Sequence, residues 1–308
     1  MNHEMKPFPP RGPRFDGRGG VDKSGDRALQ RMIAECAPKF RLFTYKDGET
    51  GAELRYYLYV PKTADNALYP LVQFIPDASV VHGEPERSLT QGWGGLIWAD
   101  AEEQQKHPAF VVVPIFTGVA VDDSFSHSTE VDLLPGLLRA LTEDYPIDPD
   151  RLYTTGQSMG GMISFFLNTV YPNLFAASLF VGSQWDNSIL NVLEGRKFFY
   201  IVSAGDPKAS VGQAGLMQVF NEDNAPYSRA AWSAKDSPEE QDAAVARMLT
   251  EGNGANFITF TKGTTLADGN DGNTPAGEHM TSFDYAYRIV AVRDWLMGQK
   301  KETAEVLR

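Results

Sequence analysis

The hydrophobic pattern of the chain changes character twice. Residues 1–26, carrying "KPFPPRGPRFDGRGG", keep neither a helical nor a strand period and read as an irregular arm. A short helix is predicted at 27–36. The aromatic and β-branched runs "RLFTYKD" and "ELRYYLYVP" flank Asp47-Gly48 and predict an antiparallel hairpin. Beyond them the apolar runs become continuous: 70–75 (PLVQFI), 109–116 (AFVVVPIF), 151–156 (RLYTTG), 176–182 (AASLFVG), 197–205 (KFFYIVSAG) and 256–263 (NFITFTKG). Strands apolar on both sides belong to a parallel sheet covered on both faces. With helices predicted at 131–144, 159–171 and 282–298, the alternation gives a doubly wound α/β domain with a mostly parallel central sheet.

Residues 207–254 break that rhythm. They are polar and uneven, with "AGLMQVF" and "PEEQDAAVARMLTEG" as helices, and read as a lid-like insertion over the C-terminal edge of the sheet. Met217, Phe220, Tyr227 and Trp232 are expected to form that insertion's core, with a roof over a pocket as the alternative. The glycine-rich stretch "LADGNDGNTPAGEH" at 266–279 reads as a loop. The organisation expected is an arm at 1–26 and one domain at 27–308.

Composition narrows the partners. Hydrophobic residues make up 42% and charged residues 22% of 308 positions, enough for a sizeable core. The formal charge of −12 argues against nucleic acid and against an anionic membrane surface. It leaves a small neutral or cationic molecule as the expected partner and is compatible with a homo-oligomer. Cys36 is the one cysteine, so no intrachain disulfide forms. No run of 18 apolar residues suggests a membrane span, and residues 1–26 lack the apolar stretch of a signal peptide. The chain as written is expected to be cytoplasmic, or secreted if a leader has been removed.

The chemistry centres on Gly156-Gln157-Ser158-Met159-Gly160. With 28 glycines in the chain, G-x-S-x-G is weak alone. Here a β-rich hexamer leads in and an apolar-faced helix (Met162, Phe165, Phe166, Val170) leads out. That strand–turn–helix setting is where the motif presents a nucleophilic serine. A serine hydroxyl needs a base. Of His3, His82, His107, His127 and His279, only His279 follows Ser158, as the order Ser, acid, His requires. Asp206, at the tip of "KFFYIVSAGD", is the expected acid, with Asp186 in "GSQWD" as its rival.

The stretches "LYPLVQFIPDAS", "IWADAEEQQKHPAFVVVP", "PIDPDRLYTTGQSMGG", "VSAGDP" and "EHMTSFDYAYRIVAVRDWL" resemble the esterase and predicted-peptidase group of α/β hydrolases. That group is related to polyhydroxybutyrate-depolymerase-like and feruloyl-esterase-like enzymes. The resemblance covers about 45–298. It implies a triad of Ser158, Asp206 and His279 and an oxyanion donor at the Met159 N–H. The second donor would come from the turn after "LVQFI". There the group usually carries His-Gly, whereas this chain has Pro76-Asp77-Ala78-Ser79. Proline has no N–H, which points to Ala78, with Asp77 and Ser79 as alternatives.

Trp185 and Gln157 are candidate substrate contacts, Trp185 by stacking on a sugar or aryl group. Trp93 and Trp98 are further aromatic candidates, Trp98 leaning to the core. No phosphate-binding loop, dinucleotide fingerprint or metal-ligand spacing occurs, so neither cofactor nor metal is inferred. The expected function is hydrolysis of a small-molecule carboxylic ester through an acyl-enzyme on Ser158. A serine peptidase is the alternative, and a non-catalytic binding protein on the same fold is a third reading.

Overall fold

A computed structural model describes residues 21–62, 64, 67–267 and 277–301. Most of the expected N-terminal arm and of the glycine-rich loop lies outside the described residues.

The hairpin forms as β1 (Arg41–Lys46) and β2 (Glu53–Tyr59), paired antiparallel. The continuous apolar runs become β3 (Tyr69–Ile75), β4 (Phe110–Ile115), β5 (Ile147–Gln157), β6 (Ala177–Val181) and β7 (Phe198–Ser203), followed by β8 (Ser228–Trp232) and β9 (Ala255–Phe260). Together they make one nine-stranded sheet in the order β1-β2-β4-β3-β5-β6-β7-β9-β8. β2 joins β4 antiparallel, and every pairing from β4 to β8 is parallel.

The inner strands are buried on both sides, which is why their sequences do not alternate. In β7, Phe198, Tyr200 and Val202 face one core while Phe199 and Ile201 face the other. The first core is sealed by the Leu134–Asp144, Met159–Val170 and Ala209–Glu222 helices, whose buried residues include Leu137, Ile163 and Phe220. The second lies under the Arg27–Cys36, Pro238–Leu249, Gly277–Arg288 and Val290–Met297 helices through Met32, Val245, Phe283 and Leu296. Phe165 stacks on Phe180 at 3.8 Å between ring centres, tying the helix after β5 to β6.

Three expectations need correction. The 207–254 segment does not lie over the sheet as a cover. Its Ala209–Glu222 helix packs on one face, its Pro238–Leu249 helix on the other, and between them β8 adds an edge strand parallel to β9. Phe220, Tyr227 and Trp232 are accordingly packing residues: Phe220 and Tyr227 meet Phe257 edge to face, and Trp232 is buried in the second core. Met217 packs against the first core. The sequence carries no strand signal for β8, because "SRAAW" holds Arg and Ala and its middle residues remain partly or fully exposed.

The C-terminal helix is two helices. Ile289 turns extended between them, and the guanidinium of buried Arg293 takes the Tyr287 carbonyl, while its Nε reaches Glu103 at 2.8 Å. The helix predicted at 131–144 is likewise two pieces, Thr129–Asp132 and Leu134–Asp144, the second restarting with Pro135 in its first turn.

Register places the chemistry. Ile75 of β3 pairs with Gly156 of β5, and Gln157 pairs with Val181 of β6. The Pro76–Ser79 turn and Ser158 therefore leave adjacent strands at the same level. Asp206 follows β7, and His279 follows β9. All four segments open at the carboxyl ends of parallel strands, where sheets of this kind place their ligands.

Candidate active site

Ser158 has φ 50° and ψ −118°, a left-handed conformation that costs a non-glycine residue on the order of 1–3 kcal/mol. Surrounding contacts impose it. The Ser158 N–H donates to the Val181 carbonyl at 3.0 Å, and the Met162 N–H closes the first helical turn onto the Ser158 carbonyl. The two motif glycines allow the turn to pack. A Cβ on Gly160 would lie 1.9 Å from the Ile75 carbonyl oxygen, and one on Gly156 would lie 2.3 Å from the Gly160 carbonyl carbon. The elbow is thus wedged between two strands and its own helix by backbone contact.

His279 Nε2 lies 2.8 Å from Ser158 Oγ, and His279 Nδ1 lies 2.5 Å from Asp206 Oδ2. Because a carboxylate only accepts, Nδ1 carries the hydrogen and Nε2 presents its lone pair to the serine hydroxyl. The imidazole sits in the first turn of the Gly277–Arg288 helix, not in a loop as the sequence suggested, with Phe283 edge-to-face at 5.0 Å between ring centres.

Asp206 is 1% exposed. Burial raises its pKa, but the hydrogen bond and charge of His279, together with the N–H groups of Ala209 and Lys208, outweigh burial and hold the carboxyl below its ordinary value. Those N–H groups reach Oδ1 at 3.1 and 3.0 Å. Asp186 instead accepts from the N–H and hydroxyl of Ser188 and caps the 187–193 turn. The structure therefore joins Ser158, His279 and Asp206 in one hydrogen-bonded chain and leaves Asp186 out of it.

Opposite the serine, Asp77 caps a short helical turn, Ala78–Val80. Met159 and Ala78 are each the first residue of a helical segment, so neither N–H has an acceptor within its own helix. Ser79 differs, since its N–H donates to Asp77 Oδ1 at 2.8 Å. Gln157 is 1% exposed, and its amide donates to Asp77 Oδ2 at 2.9 Å and to Gln91 Oε1 at 3.2 Å. It is turned onto the neighbouring strand's loop, away from solvent, which corrects its reading as a substrate contact.

Trp185 also departs from expectation. It is 3% exposed, in edge-to-face contact with Phe125 and Phe166, so its ring is buried rather than open for stacking. Phe125 is the exposed aromatic of the trio, and it stands at φ 61° in the loop after β4. That loop is fastened beside the serine: the Ala120 N–H lies 3.4 Å from Met159 Sδ, and Asp123 accepts from Gln184 and pairs with Lys208 at 2.5 Å. Phe125, Asp123 and Gln91 were missed in the sequence, where nothing marks a loop residue that acts across 60 or more positions.

Trp98 is core. Trp93 is a structural clamp: its indole N–H donates to Asp26, and Arg288 lies over its ring at 4.3 Å. A cavity of about 260 Å³ is lined in part by Ser79, Arg87, Gln91 and Met280, beside the Pro76–Val80 turn and His279.

Among the described residues, Glu103, His107 and Asp294 are a group with donor atoms close enough for a metal ion. Ion pairs with Arg293 and Lys106 already balance the two carboxylates. None of the described helices is long and apolar enough to cross a membrane.

The order of strands, the serine elbow after β5 and the crossover helices define the α/β-hydrolase fold. Among solved structures, the chain is similar to a thermostable esterase (TM-score 0.68, 23% identity), over 86% of this chain and 64% of that one. It thus spans just under two thirds of that esterase's length. It is also similar to a protein designated FAE (TM-score 0.55, 12% identity; 86% and 90% covered). A third is poly(aspartic acid) hydrolase-1 from Sphingomonas sp. KT-1 (TM-score 0.51, 11% identity; 82% and 98% covered). No protein-family profile and no curated protein sequence matches the chain.

Proposed function

We propose that this protein is a serine hydrolase that cleaves carboxylic esters. The observation that carries the reading is the hydrogen-bonded chain from Ser158 Oγ through His279 to buried Asp206, built on a serine in strained backbone geometry. His279 Nε2 takes the hydroxyl proton as Oγ attacks the ester carbonyl, and Asp206 stabilises the imidazolium that forms. The N–H groups of Met159 and Ala78 receive the negative charge on the carbonyl oxygen. The imidazolium then protonates the departing alkoxide, leaving an acyl group on Ser158. Water, deprotonated by the same imidazole, attacks the acyl-enzyme and releases the acid.

The likeness to a structure described as an esterase supports the ester reading, since that relative is the nearest in fold among the three compared. The same residues serve amide cleavage, for which the leaving amine must be protonated more fully. Paired p-nitrophenyl ester and peptidyl p-nitroanilide substrates on one preparation distinguish the two. Ester turnover at least about 10²-fold above anilide turnover is expected, since p-nitrophenolate departs unprotonated whereas the anilide nitrogen must take a proton to leave. Anilide turnover rivalling it would make the protein a peptidase.

A further inference from the structure

The turn opposite Ser158 contains an acidic residue that the proposed reaction does not use. A carboxylate next to an oxyanion donor would oppose the charge that develops there. Asp77 is nevertheless 2% exposed, with no ion-pair partner among the described residues. Its oxygens are instead occupied by hydrogen bonds. Oδ1 receives the Ser79 N–H at 2.8 Å, and Oδ2 receives the Gln157 amide at 2.9 Å and the Gln91 amide. The Gln91 amide also reaches Ser79 Oγ at 2.7 Å.

These partners come from three places. Ser79 belongs to the turn itself, Gln157 is the residue before the serine, and Gln91 follows the short Arg87–Thr90 helix. The two oxyanion donors flank this network: Ala78 is next to Asp77, and Met159 is two residues from Gln157. Two N–H groups can serve one oxyanion only while their separation is held to a few tenths of an ångström, and they contribute most when no reorganisation is needed as charge appears.

From this network we infer that Asp77 is a positioning residue, whose carboxylate cross-ties the oxyanion turn to the nucleophile elbow through Gln157 and Gln91. The inference rests on the reading of Ser158 as the nucleophile. The three donors draw the acidic charge toward Ser79, Gln157 and Gln91, and the tie adds to the packing of Gly160 against the Ile75 and Pro76 carbonyls a hydrogen-bonded link that Pro76, lacking an N–H, cannot supply itself.

The tie can be cut from either end. Asp77→Ala removes the acceptor, and Gln157→Leu removes the donor on the elbow side at similar volume. Each is expected to lower kcat about 10²-fold, the effect of one misplaced oxyanion donor, with KM changed less than about threefold. Affinity for a trifluoromethyl ketone, whose adduct on serine bears the oxyanion, should fall in parallel with kcat/KM. The double variant should be little worse than either single one, because both cut the same tie. Asp77→Asn should recover most of the loss, since Asn keeps an acceptor for Ser79 and Gln157 can turn its unpaired Oε1 toward the new amide.

Labelling of each variant by a fluorophosphonate, read by intact mass, separates this inference from the proposed function. A labelled wild type with variants that lose kcat and ketone affinity together supports the cross-tie. A labelled wild type whose variants keep their ketone affinity, or lose KM alone, overturns it, as does Asp77→Asn no better than Asp77→Ala. An unlabelled wild type overturns the proposed function and the inference with it. If Asp77→Ala does not fold, Gln157→Leu carries the test by the same readouts.

Discussion

Two loops face each other across the site and are held by different physics. The elbow, Gly156–Gly160, is fixed by backbone contact: no side chain larger than hydrogen fits at Gly160 against the Ile75 carbonyl. The Pro76–Val80 turn is fixed by side-chain hydrogen bonds that converge on buried Asp77. Steric fixing is written locally, in a short run of glycines. Fixing by a network is written in residues scattered from 77 to 157, and no single one of them stands out in the sequence.

The contrast predicts different kinds of failure. The largest effect is expected at the elbow: Gly160→Ala drives a Cβ into a backbone carbonyl that cannot retreat without separating β3 from β5. A loss on the order of 4 kcal/mol is expected in urea unfolding, with activity lost alongside. A variant that unfolds like the wild type would show that the elbow is not sterically fixed.

Next comes the relay. Asp206→Asn leaves the shape intact, but with its carbonyl oxygen held by the Lys208 and Ala209 N–H groups it turns an amide N–H toward His279 Nδ1; that selects the wrong imidazole tautomer, and kcat should fall about 10⁴-fold. Asp186→Asn should stay within about threefold of the wild type, because a substitution outside the relay touches only a surface turn cap. Steady-state ester kinetics on the pair checks both, and the reverse order would reassign the acid.

A smaller effect concerns acid stability. The Asp206 carboxyl is held below its usual 3.8, so the unfolded chain binds its proton first as pH falls. The stability this carboxylate contributes is complete only well above the unfolded value of 3.8 and disappears as pH drops through the lower folded value. Asp206→Asn should therefore flatten the stability profile below pH 4 relative to the wild type, as read by urea midpoints across that range. A profile unchanged by the substitution would contradict the shift.

The smallest effect is expected at Asp123. Its ion pair with Lys208 joins side chains that are 60% and 64% exposed, and such pairs contribute less than about 1 kcal/mol. Asp123→Ala should leave the melting temperature almost unchanged while loosening the Phe125 loop. Its signature would be a raised KM for aryl esters with kcat preserved.

Much of this architecture was legible from residue order. The parallel strands declared themselves as continuous apolar runs because they are buried on both faces. Ser158, His279 and Asp206 followed from one motif plus chain order, and the structure brings the three side chains together. What escaped depended on contacts distant in sequence. β8 is an edge strand of small and charged residues, stable only because β9 lies beside it. Gln157 adjoins Ser158 and Trp185 follows β6 at the same end of the sheet, yet one side chain turns onto Asp77 and the other packs against Phe125. Neighbourhood in sequence placed the backbones, and packing chose where the side chains point.

Every role proposed for this site depends on Ser158 acting as a nucleophile. Its most direct test is intact-mass analysis after brief exposure to a fluorophosphonate, followed by peptide mapping. One adduct per chain on Ser158, absent in Ser158→Ala and formed far more slowly in His279→Ala, is the predicted result. No adduct on the folded protein, or one that persists in Ser158→Ala, would contradict it.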